Sequence, residues 1–183
     1  MSELRTNRII PRDGIPSGAS GGGIIQVVFV EKSDVESLTS NSTPQLIPGL
    51  SATITPKFNT SKILVQAVFH ASIGGNYAGH YIVLRRGSTD INIGDAAGSR
   101  VWGRLALQTA TFWDDNSGAN YSMGQGSLNF LDSPATTSAT TYGLYHADAD
   151  GTNALYVNRS RNDGDANGFI RVASTITLME VSG

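Results

Sequence analysis

A chain of 183 residues with no cysteine carries no disulfide framework, thiolate metal centre or thiol nucleophile, and its length suits one compact body plus an appendage. Only 15% of the residues are charged and the net charge is −2, so no broad basic field exists to hold a phosphate backbone, and nucleic acid is not an expected partner. The start has no apolar run of signal-peptide length and no later segment approaches a membrane span, so neither Sec export nor membrane insertion is expected.

Residues 1–23 read as an extended N-terminal arm. Leu4, Ile9, Ile10 and Ile15 lie among Arg5, Arg8 and Arg12, while Pro11, Asp13-Gly14 and Pro16 interrupt any helical period. Ser17 to Gly23 reads as a flexible joint. Such an arm gains fixed structure by docking on something else. Leu4, Arg5, Arg8, Ile9, Ile10 and Arg12 are its candidate anchoring residues, the guanidinium groups pairing with carboxylates or carbonyls of a neighbour.

Residues 24–183 form the body. Ile24 to Val30 is a continuous apolar strand candidate, Ser33 to Pro48 a polar loop, and Leu50 to Thr55 an alternating strand that stops at Pro56. Further candidates are Lys62 to Ile73, His80 to Arg86, Arg104 to Trp113, Tyr121 to Leu131, Thr140 to His146, Ala154 to Asn158 and Phe169 to Val181. Gly, Asn, Asp and Ser clusters separate them, and no window of helical length keeps a 3.6-residue apolar period. The expected fold is all-β, an antiparallel jelly-roll β-sandwich.

One strand says more than its class. Ile63, Val65, Ala67, Phe69 and Ala71 make an unbroken apolar face for the core, yet Leu64 and Val68 stand on the opposite face, which in a lone sandwich should be polar. Ile82 and Leu84 repeat the pattern. Leu64, Val68, Ile82 and Leu84 are therefore candidate oligomer-interface residues.

Chemistry-bearing constellations are sparse. His70, His80 and His146 are scattered, with no orienting carboxylate and nucleophile in recognisable spacing, and packing roles are expected for all three. No Gly-x-Ser-x-Gly elbow, phosphate loop or His-Glu-x-x-His segment occurs, so no enzyme is expected and no cofactor is implied. Asp163, Asp165 and Asn167, with Gly164 and Gly168, have the alternating oxygens of a Ca²⁺ loop, but Ser174 stands where the bidentate Glu belongs and a strand follows. A solvated loop without metal is the favoured reading. Tyr77, Trp113 and Tyr121 lie beside Asn, Asp and Gly at strand ends and are candidate glycan contacts. Phe69, Trp102, Phe112, Phe130, Tyr142 and Tyr156 are assigned to core or interface.

The segments Leu4-Arg5-Thr6-Asn7-Arg8-Ile9-Ile10-Pro11-Arg12-Asp13-Gly14, Ile24-Ile25-Gln26-Val27-Val28, Ser61-Lys62-Ile63-Leu64-Val65, Tyr156-Val157-Asn158-Arg159-Ser160 and Ser174-Thr175-Ile176-Thr177-Leu178-Met179-Glu180-Val181 resemble virion proteins of marine and cyanobacterial tailed phages, often called tail-fibre proteins. The body is also similar to the trimeric jelly rolls of the complement globular-head and tumour-necrosis-factor type. These resemblances imply a homotrimer, other virion proteins (capsid, tail or collar) as partners, synthesis in the host cytoplasm, a place on the virion surface and no catalysis. A typical fibre has a long shaft that this chain lacks, so capsid decoration, a collar piece and a short fibre tip remain open. A module binding host-surface polysaccharide, or less plausibly a polysaccharide depolymerase, is the alternative.

Overall fold

A computed structural model describes residues 23–74, 79–95, 98–100, 103–108 and 121–182. Those residues form β1 (Ile24–Lys32), β2 (Glu36–Leu38), β3 (Gln45–Ile54), β4 (Lys62–Ile73), β5 (Gly79–Arg86), β6 (Thr89–Ile91), β7 (Leu105–Gln108), β8 (Gly124–Asp132), β9 (Thr140–Asp148), β10 (Leu155–Val157) and β11 (Ser174–Val181), with no helix among them. Every pairing is antiparallel.

The strands divide into two sheets. Sheet A has the order β1-β11-β4-β10-β2 with β8 on the other side of β4, and sheet B has the order β3-β9-β5-β6 with β7 also paired to β5. From β2 to β5, and again from β7 to β10, consecutive strands lie in opposite sheets, so the chain winds around the core as a jelly-roll sandwich does.

Alternation explains the core. Ile63, Val65, Ala67, Phe69 and Ala71 of β4 point inward with Ile176 and Leu178 of β11 and Leu128 of β8, and they meet Ile47, Leu50, Ile54, Ile82, Leu84, Tyr142 and Leu144 from sheet B. Phe69 and Tyr142 are fully buried, as assigned from sequence, and Phe130 packs against the same cluster half-buried.

Several boundaries differ from the sequence expectation. β3 starts at Gln45, inside the supposed loop, because a register shift between Leu46 and Ser51 takes Pro48 and Gly49 out of the ladder. Pro48 needs no ladder hydrogen bond there, and Gly49 has φ 79°, open to glycine at no steric cost. β11 starts at Ser174 rather than Phe169, since the preceding residues close a loop. The short strands β2 and β6 fall within stretches read as loops.

Buried polar groups join the layers. Asp132 of β8 accepts from Arg86 Nη1 of β5 at 2.8 and 2.9 Å and from the Tyr142 hydroxyl of β9 at 2.6 Å, clasping sheet A to sheet B. Burial and the Asp132 carboxylate hold the Tyr142 phenol well above its ordinary pKa. Within sheet A, Asn158, fully buried with φ 61°, donates to the carbonyls of Lys32 and Asp34. The Ser174 hydroxyl donates to Asn158 Oδ1 and accepts from the His70 amide, so one amide side chain ties the ends of β1, β4, β10 and β11.

Candidate functional site

Inside-outside alternation leaves each sheet an outer face, and register decides what each face presents. In sheet A, Val27 of β1 pairs with Met179 of β11, Met179 with Leu64 of β4, and Leu64 with Leu131 of β8. Those residues make one apolar row across four adjacent strands, a span of roughly 14 Å at about 4.8 Å per strand. The row is extended on one flank by Ile24, paired to Val181, and on the other by Phe29, paired to Thr177.

Ile24, Val27, Phe29 and Leu131 are 60, 55, 58 and 48% exposed, while Leu64, Met179 and Val181 between them are half-buried by their neighbours. Isolated apolar residues on a surface are ordinary, whereas a contiguous row of this kind is a candidate interaction site. Beyond it the face turns polar. Gln66, Val68, Ser127, Asn129, Thr175 and Thr177 line an open depression of about 230 Å³, and Gln66 Nε2 donates to Asn129 Oδ1 at 2.8 Å. Glu31 and Lys62 stand exposed at the rims of the patch.

Of the interface residues expected from sequence, Leu64 lies at the centre of the row and Val68 at its polar margin. Ile82 and Leu84 are a correction. Both point into the sandwich and are fully buried within the chain's own core, where no second subunit reaches them. The opposite phase of β5 carries Tyr81, Val83 and Arg85, of which Tyr81 and Arg85 are partly exposed and Val83 is buried; because Val83 is apolar as well, the strand's alternation left its phase open. Sequence reasoning passed over Val27, Phe29, Met179 and Leu131. The signal was available in the apolar run Val27-Val28-Phe29-Val30 of β1, which alternation alone does not require.

The outer face of sheet B contrasts with this. The Thr53 and Thr141 hydroxyls share a hydrogen bond of 2.7 Å, Arg85 forms an ion pair with Asp90, and its guanidinium lies 4.6 Å from the centre of the Tyr145 ring. Leu46 is exposed but folds over Gly143, whose position would bring a Cβ to 3.1 Å from it.

The remaining candidates fall elsewhere. Leu4, Arg5, Arg8, Ile9, Ile10 and Arg12 of the arm lie outside the described residues, as do Tyr77, Trp102, Phe112 and Trp113. Tyr121 is 55% exposed and stacks on Phe169 with ring centres 4.8 Å apart. Gly164 and Gly168 let the 162–168 loop press against those two rings. The loop is closed by Arg171, which donates to both carboxylate oxygens of Asp163 at 2.7 and 3.1 Å and holds that carboxyl below the usual carboxylate range. Asp165 and Asn167 are exposed, and among the described residues no group of three or more His, Cys, Asp or Glu side chains is arranged to hold a metal ion.

His80 and His146 lie fully buried with ring centres 6.3 Å apart. His80 Nε2 donates to the Asn153 carbonyl at 2.8 Å, and the Nδ1 of each ring has no hydrogen-bond partner among the described residues. Burial pushes both imidazoles below their ordinary pKa, His146 to about 4. Asp148 is buried too, but amides of Thr152 and Asn153 and the Ser40 hydroxyl outweigh that burial and lower its pKa to about 2. His70 donates from Nδ1 to the Ala173 carbonyl at 2.9 Å. These contacts brace strand ends; none presents a nucleophile to a general base.

No family model matches the chain, and no curated protein does. Among solved structures it is similar to one described as infectious bursal disease virus, Gt strain, at 12% identity and a TM-score of 0.42, and to the VP2 subviral particle of the same virus, at 10% identity and a TM-score of 0.40. Each match covers 97% of this chain, against 44 and 43% of the other, so the chain spans less than half the length of either. Likeness at that level extends to neither activity nor partner.

Proposed function

We propose that the chain is a non-enzymatic building block of a tailed-phage virion, a homotrimeric jelly roll carried at the particle surface as decoration, collar or short fibre tip. The observation that supports this most is the apolar row Val27–Met179–Leu64–Leu131, a face that a solitary sandwich would leave to water and an assembly covers. Covering one exposed Val, Leu or Phe contributes roughly 1.5–3 kcal/mol when the burial is complete, so a few such residues sustain a specific contact. The resemblance of the arm, of the segment around Leu64 and of the closing strand to virion proteins supplies the setting.

In this reading residues 1–23 tie the subunit to its neighbours in the particle. The body, braced internally by Asp132, Asn158 and Asp148, serves as a rigid spacer. The test is incorporation. Particles assembled with a chain lacking residues 1–23 should contain none of it, while the truncated chain remains folded by circular dichroism; normal incorporation removes the reading.

A further inference from the structure

An apolar face says that something covers it without saying what. We propose that the cover is the arm of a second copy: residues 4–15 of one protomer lie across the Val27–Met179–Leu64–Leu131 row of the next. The proposal rests on the assembly role given above to that face and adds its occupant.

Position is the first argument. The Gly23 carbonyl accepts from the Ser182 amide at 3.0 Å, which fixes where the arm leaves the body, beside Ile24 and Val181 at the corner of the patch. The arm therefore starts on the side of the molecule that carries the apolar face.

Length is the second. A chain spans at most roughly 3.3–3.6 Å per residue, so Ile15 can stand up to about 28 Å from Gly23 and Leu4 up to about 65 Å. The row it would cover is roughly 14 Å wide. The Gly- and Ser-rich joint is thus long enough to pass to a neighbour, and residues 4–15 are long enough to cross the row.

Chemistry is the third. Leu4, Ile9, Ile10 and Ile15 supply aliphatic side chains for an aliphatic row, and Pro11 and Pro16 favour an extended path that offers fewer N–H groups to satisfy. Arg5, Arg8 and Arg12 find a carboxylate in exposed Glu31 and oxygen acceptors in the adjacent depression, where Thr175, Thr177 and Asn129 stand.

Symmetry is the last. A face packed on its own copy gives a twofold dimer, whereas an arm passed from each subunit to the next is a head-to-tail contact that closes into a ring. Only the second agrees with a trimer.

Because the chain has no cysteine, single-cysteine variants report the contact directly. Ile9→Cys and Leu131→Cys chains, prepared separately, mixed, dissociated, reassembled and oxidised, should give a disulfide-linked pair of one chain of each kind. Adding Leu64→Asp to the Leu131→Cys chain should remove that product. In the full chain, Ile9→Asp/Ile10→Asp should weaken association at least 100-fold. Three results overturn the proposal: no mixed product although the chains assemble, an Ile9→Cys/Leu131→Cys chain that closes its disulfide within itself, or Ile9→Asp/Ile10→Asp assembling as the parent does. If Leu64→Asp still dissociates the assembly in those cases, the face keeps its role and only its occupant is wrong. If Leu64→Asp assembles normally, the reading of the face fails as well.

Discussion

The two outer faces of this sandwich are built from the same period-two alternation and end in opposite states. On sheet B the outward side chains consume one another: Thr53 with Thr141, Arg85 with Asp90 and Tyr145. On sheet A the outward row is Val27, Met179, Leu64 and Leu131, which gains nothing from water and has no polar group to pair. The difference separates a face whose side chains are satisfied within the chain from one that, in the proposed reading, serves association. Polar pairs on sheet B act within the chain, whereas apolar area on sheet A yields its free energy only when another surface arrives.

Adjacent residues of β8 break or confirm that division most sharply, because Asp132 points inward and Leu131 outward. Asp132→Ala removes the shared acceptor of Arg86 and Tyr142, and a loss of about 3 kcal/mol in denaturant-unfolding free energy is expected. Leu131→Asp should cost little in the same measurement and weaken association instead. Equal destabilisation by both would erase the distinction.

Acid attacks the interior while leaving the apolar row untouched. His146 has a folded-state pKa near 4 against about 6.5 when unfolded, so below pH 6.5 the unfolded chain binds the extra proton and stability falls as the pH drops. Between pH 6.5 and 4 the loss from this residue alone is about 3 kcal/mol, and His80, shifted the same way, adds to it. Asp148 contributes stability above its unfolded pKa that is lost further down, toward pH 2. Thermal melts across that range should show the decline, and His146→Phe should flatten it.

Smaller effects sharpen the contrast between faces. Leu64→Asp, at the centre of the sheet A row, should raise the dissociation constant at least 100-fold, about 2.7 kcal/mol, in sedimentation. Thr53→Asp on sheet B should leave it unchanged. Arg85→Ala removes a half-exposed ion pair and a guanidinium–ring contact, for which about 0.5–1 kcal/mol of stability and no change in association are expected.

Much of this is legible in the sequence itself. β4 runs from Lys62 to Ile73 as its alternation required, because one face is unbrokenly apolar and a one-residue slip would expose it. The outward Leu64 was visible for the same reason. β5 was legible as a strand but not in phase, since Ile82 and Leu84 alternate with an equally apolar Val83. The row itself was not readable from any single strand. It exists only through cross-strand register, which is set by long-range pairing between β1, β11, β4 and β8. Likewise Asn158 and Asp132 look like surface residues in sequence, and burial of each is licensed by partners distant along the chain. Three-residue strands such as β2 and β6 are too short to show a period at all.

The most direct measurement is sedimentation velocity of the full chain beside its Leu64→Asp variant at micromolar concentration. The parent chain should run as a trimer and the variant as a folded monomer with the same far-ultraviolet spectrum. A parent chain that runs as a single subunit throughout would contradict the view that the outer face of sheet A exists to be covered.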